Sequence, residues 1–195
     1  STGMAGKKEL NDALDVITRY HNDISILHCV SQYPTHPDNL NLNTINYLKK
    51  HYGQYHIGFS DHTIGISAPA IAVGMGAEII EKHITIDRHM KGTDQPGSLG
   101  PDGVNRMVRD IRMVEHWLGT EDLYIDKSVA CSKEKLERSI ASLCEIKAGE
   151  VITEDKIHML SPGDGFKWAE KDFVVGHKAI KDIPANEIIY QSLID

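Results

Sequence analysis

Long apolar runs are missing from this chain, and no stretch approaches the length that a membrane helix needs. A membrane is therefore not an expected partner. Positive charge is also scarce. Against 28 Asp and Glu stand 21 Lys and Arg, for a formal net charge of −7. That balance argues against a nucleic-acid surface or an anionic lipid surface as partner, since both reward an excess of cations. It leaves room for a small anionic substrate, because a metal and a few local cations can dominate one pocket. Cysteine is sparse too. Cys29, Cys131 and Cys144 form no close pair and no zinc-type spacing. This usage reads as reduced thiols in a cytoplasmic protein. There is no internal repeat, no low-complexity tract and no Gly-rich phosphate fingerprint of the dinucleotide-binding type. An initiator methionine is absent, and Ser1-Thr2-Gly3-Met4 reads as the end of a strand entering a turn. The expectation is that more protein precedes Ser1.

What is present alternates. Residues 5–20 carry apolar side chains at Leu10, Ala13, Leu14 and Ile17, a helical period. Residues 24–31 form a short strand-like run. Helical spacing returns over 39–52 through Leu42, Ile45 and Leu48, with Gly53 as a stop. Residues 56–60 read as a strand, 67–75 as a helix of small residues, and 77–85 as a further strand. Residues 101–118 predict a long amphipathic helix, with Val104, Met107, Val108, Ile111, Val114 and Leu118 on one side. Such alternation implies an α/β fold with a parallel sheet and crossover helices. Counted with the strand that Ser1 would end, residues 1–120 make four strand–helix units, the second half of a TIM (β/α)8 barrel. A doubly wound open sheet is the alternative. Residues 121–137 are polar with little periodicity and read as a linker. Residues 138–195 have short apolar runs between turn signals and predict a compact β-rich module near the lower size limit for independent stability.

Two histidines fall at predicted strand ends, His62 in Phe59-Ser60-Asp61-His62-Thr63 and His83 in Glu81-Lys82-His83. They are too far apart in sequence for one helix or hairpin, but they suit successive strands joined by a crossover. Neighbouring strands lie about 4.8 Å apart, so both imidazoles can reach one divalent ion. Two protein ligands leave open positions for water and substrate, as catalytic sites do. Asp61 and Glu81 stand ready to support the site, whereas Lys82 alternates away from it and reads as a surface or packing residue. Each histidine taken alone reads better as a hydrogen-bonded strand-end residue; it is the pair, each beside a carboxylate at matched strand ends, that favours a metal. Ser31 and Tyr33 end the preceding strand and suit a phosphate and a sugar, or a capped loop entry. No base is placed near Cys29 by sequence. Residues 91–99 form a Gly/Pro loop in which Asp94 can accept sugar hydroxyls, or an ordinary loop. Ser1 and Thr2 at the first strand end can help hold a phosphate.

Together these strings resemble the sialic acid synthase family. The likeness is carried by STGM at Ser1, HCVSQYPT from His28, GFSDHT from Gly58, GAEIIEKHIT from Gly76 and KGTDQPGSL from Lys91. It continues through RSIASLCEIKAGEVIT from Arg138, SPGDG from Ser161 and VGHKAI from Val175, which resemble the family's C-terminal SAF (antifreeze-like) domain. The resemblance implies condensation of phosphoenolpyruvate with an N-acetylated sugar. It implies that His62 and His83 are the catalytic metal ligands, usually for Mn2+, with Mg2+ or Co2+ as alternatives. It implies that Ser1, Ser31 and Ser60 bind phosphoenolpyruvate, and that Tyr33, Asp94 and Arg138 contact the sugar. It further implies a domain-swapped homodimer and a first half-barrel carrying phosphate-binding lysines and a proton-transferring glutamate. Two departures stand out: Glu137 occupies a place where many members have arginine, and Gln95 replaces a common histidine. A metal-dependent barrel hydrolase and a non-catalytic sugar-binding module remain competing readings.

Overall fold

A computed structural model describes residues 1–195, which divide into two compact units, Ser1–Glu121 and Asp122–Asp195. In the first, helix α1 (Lys7–Ile17) leads to strand β1 (Ser25–Cys29), followed by α2 (Pro37–Leu40) and α3 (Asn43–Tyr52). Then come β2 (His56–Asp61), α4 (Ser67–Gly74), β3 (Ile79–Lys82) and α5 (Pro101–Leu118). The three strands form one parallel sheet in the order β1-β2-β3. This is the strand–helix alternation expected of successive barrel units.

The central strand shows why the sequence folds this way. In β2 every residue except His56 is buried, as a parallel strand covered on both faces requires. Ile57 and Phe59 join Ile26 of β1, Ile45 and Leu48 of α3, and Ala68 and Ala72 of α4 in one core. The alanines let α4 lie close on the sheet. Strand pairing aligns Cys29 with Ser60 and Ser60 with Glu81, and in the next row Asp61 with Lys82. The carboxyl ends of β2 and β3 thus finish level, each one residue before a histidine.

Several boundaries differ from expectation for local reasons. The single helix read over 39–52 is two, because Asn41 adopts a left-handed conformation (φ 44°) between α2 and α3. Asparagine tolerates that region, and Asn41 Nδ2 donates to Thr44 Oγ1 at 3.1 Å. Residues 1–3 form no strand element, yet they are tied to β1: Thr2 N–H donates to the Leu27 carbonyl and Ser31 N–H to the Gly3 carbonyl. On α5, only Met107 of the predicted apolar stripe is fully buried, while Val108 and Leu118 are exposed.

In the second unit, residues read as a linker are partly helical: a 3-10 turn at Lys127–Val129 runs into α6 (Ala130–Leu136). Strand β4 (Ser139–Ser142) pairs antiparallel with β5 (Ile157–Leu160). The core is mostly isoleucine, with Ile140, Ile146, Ile152, Ile183 and Ile189 completely buried beside Val174, Ala179 and Leu193. Two buried serines of β4 anchor the turns that flank it. Ser139 Oγ donates to the Pro162 carbonyl at 2.7 Å, and Ser142 Oγ to the Pro184 carbonyl.

Candidate active site

His62 and His83 come together where β2 and β3 end. Their ring centroids are 5.1 Å apart, with the rings edge to face. His62 Nδ1 lies 2.8 Å from the Val30 carbonyl oxygen. A carbonyl only accepts, so Nδ1 carries the proton, and Nε2 keeps the lone pair that a metal needs. A backbone carbonyl of this kind is a common support for a ligating imidazole. His83 Nδ1 stands 3.8 Å from Asp94 Oδ2, with His83 about one-third exposed and Asp94 half exposed. No set of three or more His, Cys, Asp or Glu gathers around a single point in this chain. The two imidazoles therefore offer a two-ligand corner. Metal–nitrogen bonds near 2.1 Å fit the ring separation, so these residues suit a first-row divalent ion with other positions left to water or substrate.

Tyr33 packs against both rings, its centroid 4.2 Å from that of His62 and 5.9 Å from that of His83. The cleft at this point is also lined by Thr63, Asp94 and Pro96 and has a volume of about 130 Å³. Typical small-molecule pockets span roughly 300–1,000 Å³, so this cleft by itself is small for one. Behind the cleft, Ser60 Oγ donates to Glu81 Oε1 at 2.5 Å. The Ser60 proton is thus engaged by Glu81, and the hydroxyl must turn before it can donate to a substrate oxygen.

The remaining predicted residues are placed as follows. Ser31 is partly exposed beside Gly3, where an added Cβ would come within 2.2 Å of Ser31 Oγ. A side chain at position 3 would have to push the Ser31 hydroxyl and the Cys29 thiol aside. Ser1 is exposed, two residues before Gly3. Arg138 lies in the second unit, exposed, immediately before β4.

Two features went unread in the sequence. Of the two readings of Lys82, surface or packing, the packing one holds, but its partner was not read: its side chain is 2% exposed and Nζ donates to Asp61 Oδ2 at 2.8 Å. The hydrogen bonds of Asp61 and Glu81 to other side chains go to Lys82 and Ser60 and to neither histidine. The register of β2 with β3 was the missing signal, since it sets 61 against 82 and 60 against 81. Cys29 does have a histidine nearby, with Sγ 3.8 Å from His62 Nδ1. That nitrogen already donates to Val30, so it is no base for the thiol.

The NeuB family model matches residues 1–122, and the SAF domain model matches residues 137–195. Among curated relatives, the N,N'-diacetyllegionaminic acid synthase of Legionella pneumophila is 33% identical over 95% of this chain and 53% of its own length. A pseudaminic acid synthase of Campylobacter jejuni is 33% identical over 98% of this chain and 56% of its own. The crystal structure of the spore coat polysaccharide biosynthesis protein spsE of Bacillus subtilis superposes with a TM-score of 0.56. It is 32% identical and covers 95% of this chain and 57% of the spsE chain. The chain spans about half the length of the relatives it matches. With paired imidazoles at two adjacent strand ends and both family models in the order the relatives share, this chain belongs to the NeuB family and carries a SAF domain at its C-terminal end.

Proposed function

We propose that the protein carrying this chain is a carbon–carbon bond-forming transferase of the cytoplasm. It condenses phosphoenolpyruvate with an open-chain acetamido sugar to give a nonulosonic acid and phosphate. The observation that carries this reading is the approach of His62 and His83 to 5.1 Å under Tyr33, in a chain of the NeuB family. Relatives named as legionaminic and pseudaminic acid synthases support the same reaction class.

In this reading His62 and His83 present Nε2 lone pairs to one divalent ion, Mn2+ first among candidates, with Mg2+ and Co2+ as alternatives. Bound there, that ion supplies Lewis-acid polarisation of the sugar aldehyde. Tyr33 and Asp94 orient the sugar beside the two rings. Ser1, Ser31 and Ser60 contact phosphoenolpyruvate, Ser60 after its hydroxyl turns from Glu81. The methylene carbon of phosphoenolpyruvate bonds to the aldehyde carbon, whose oxygen takes a proton. Water adds at the former enol carbon, and the C–O bond to phosphate breaks. Much of the acceleration comes from holding the two reacting carbons in line. Lysines for the phosphate and a proton-transferring glutamate belong to barrel strands outside this chain, and Arg138 of a partner subunit reaches the sugar's acetamido group.

The test is a thiobarbituric-type assay for 2-keto-3-deoxy acids on the intact protein with phosphoenolpyruvate, N-acetylmannosamine and Mn2+. Product that disappears on chelation and returns with Mn2+ is the expected result. No product with that sugar or with 2,4-diacetamido sugars overturns the proposal. Metal-independent sugar binding without product would mark a binding module instead.

A further inference from the structure

Next to the two histidines, one residue back along each strand, lies a buried ion pair. Asp61 and Lys82 are register partners across β2 and β3. Their side chains are 0% and 2% exposed, with Nζ 2.8 Å from Oδ2. The link extends past the sheet. Lys82 Nζ also donates to the Thr63 carbonyl oxygen, and Asp61 Oδ1 accepts from the Thr63 N–H at 2.8 Å. His62 is therefore bracketed by two residues that Lys82 holds, and Lys82 is itself bonded to His83 through the chain.

Stability alone does not account for this pair. Taking two charges out of water costs several kcal/mol for each ion, and well-packed apolar residues of similar volume often serve the fold as well. Fixing a register is the better-attested use of such pairs. Substrate binding does not account for it either. The Lys82 charge is neutralised by Asp61, and its ammonium is spent on two acceptors of the protein's own. What the pair controls is how far β2 and β3 have advanced relative to each other at the level of the next residue, which is histidine on both strands.

We infer that Asp61 and Lys82 are positioning residues: a brace that sets the spacing of the two imidazoles, and with it the affinity and coordination geometry of the divalent ion they would hold. This rests on the metal reading of His62 and His83 given above. A slide of 1 Å between the strands carries one imidazole out of a coordination shell about 2.1 Å in radius. The lost contact falls on the metal rather than on the core, because the buried Ile57 and Phe59 of β2 lie on rows below the brace.

The experiment uses the intact protein, stripped with a chelator, and reads Mn2+ binding by the loss of the free-ion electron paramagnetic resonance signal. Co2+ visible absorption serves as a second reporter of geometry. The double variant D61N/K82M removes both charges while keeping an acceptor for the Thr63 N–H and an apolar side chain of similar length. It is expected to stay folded, to bind Mn2+ about 10–100-fold more weakly, and to show an altered Co2+ spectrum. Asp61→Glu is the second variant. It keeps both charges but lengthens the brace by one methylene, so affinity falls below that of the wild type. Wild-type affinity and an unchanged Co2+ spectrum in either folded variant overturn the brace. His62→Ala separates the two readings. Uptake lost in His62→Ala but intact in the brace variants sinks the brace alone. Uptake absent from the wild type, or retained in His62→Ala, sinks the metal reading and the brace with it.

Discussion

Two histidines on neighbouring strands have opposite surroundings, and the difference tells which one is structural. His28 in β1 is 4% exposed, stacks on Phe59 at 5.8 Å and donates from Nε2 to the Leu40 carbonyl at 2.8 Å. Burial pushes its pKa below the usual histidine value, and the Leu40 bond offsets this only in part. His62 instead keeps one nitrogen bonded to a carbonyl and turns the other toward the cleft. The sequence distinguished them only by position, since His62 falls at a strand end and His28 within a strand. A pH effect follows from His28. In the unfolded chain it takes up a proton near pH 6.5, while in the folded chain it resists protonation. The unfolded state then binds more protons, so stability is lost as pH falls through that range. His28→Gln keeps a donor for Leu40 but does not titrate. The urea midpoint of the wild type is expected to drop relative to His28→Gln between about pH 7.5 and pH 5. A difference that stays flat with pH would show that His28 is not the group responsible.

At the level of elements, periodicity located β1 to β3 and the helices α1, α3, α4 and α5, but it missed α2 as a separate turn and did not show how deeply each element lies. The apolar run of β2 announced a buried parallel strand, and the small residues of α4 announced a close helix. Alternation put Lys82 away from the histidines, whereas Lys82 and its register partner Asp61 line the same cleft as His62 and His83. It also carried no information about depth, and the Lys82 side chain is buried against Asp61. Over 127–136, a polar sequence without a strong apolar period hid a short helix, which helical side chains such as Ala130 and Leu136 form without a core face. Close strand contact is the property most exposed to test. Gly58 sits in the middle of β2, and an added Cβ would lie 2.6 Å from the Ile79 carbonyl oxygen and 2.9 Å from Ile79 Cβ. Neither atom is a flexible chain end, so β2 and β3 must part. Gly58→Ala is expected to destabilise the intact protein by about 1–3 kcal/mol in urea denaturation. Wild-type stability would mean that the strands are less tightly apposed than their register implies.

Across the whole molecule, the change in texture after residue 120 and the order of motifs made both units legible. The hydrogen bonds inside the second unit were not, because its buried serines reach partners far along the chain, such as Pro184 and Glu187 for Ser142. That unit also shows the surroundings of Glu137, the departure from the family pattern, and of Arg138 next to it. Glu137 is engaged by Lys167 at 2.8 Å and Lys133 at 3.5 Å, and the Lys167 bond chiefly holds its carboxyl below the usual range. Arg138 beside it is exposed and is the proposed contact to the sugar in the proposed dimer. If each active site draws its histidines from one subunit and its arginine from the other, defects in the two should complement. Arg138→Ala alone is expected to raise the KM for the sugar more than that for phosphoenolpyruvate, and His62→Ala alone to abolish turnover. Unfolded together and refolded as a random mixture, half the dimers pair one variant with the other. Each such dimer contains one site with both His62 and Arg138 intact, so activity recovers to about a quarter of wild type at limiting sugar. If sites are instead built within single subunits, no mixed dimer holds an intact site. Activity of the mixture then stays at the average of the two variants, and the swapped arrangement is excluded.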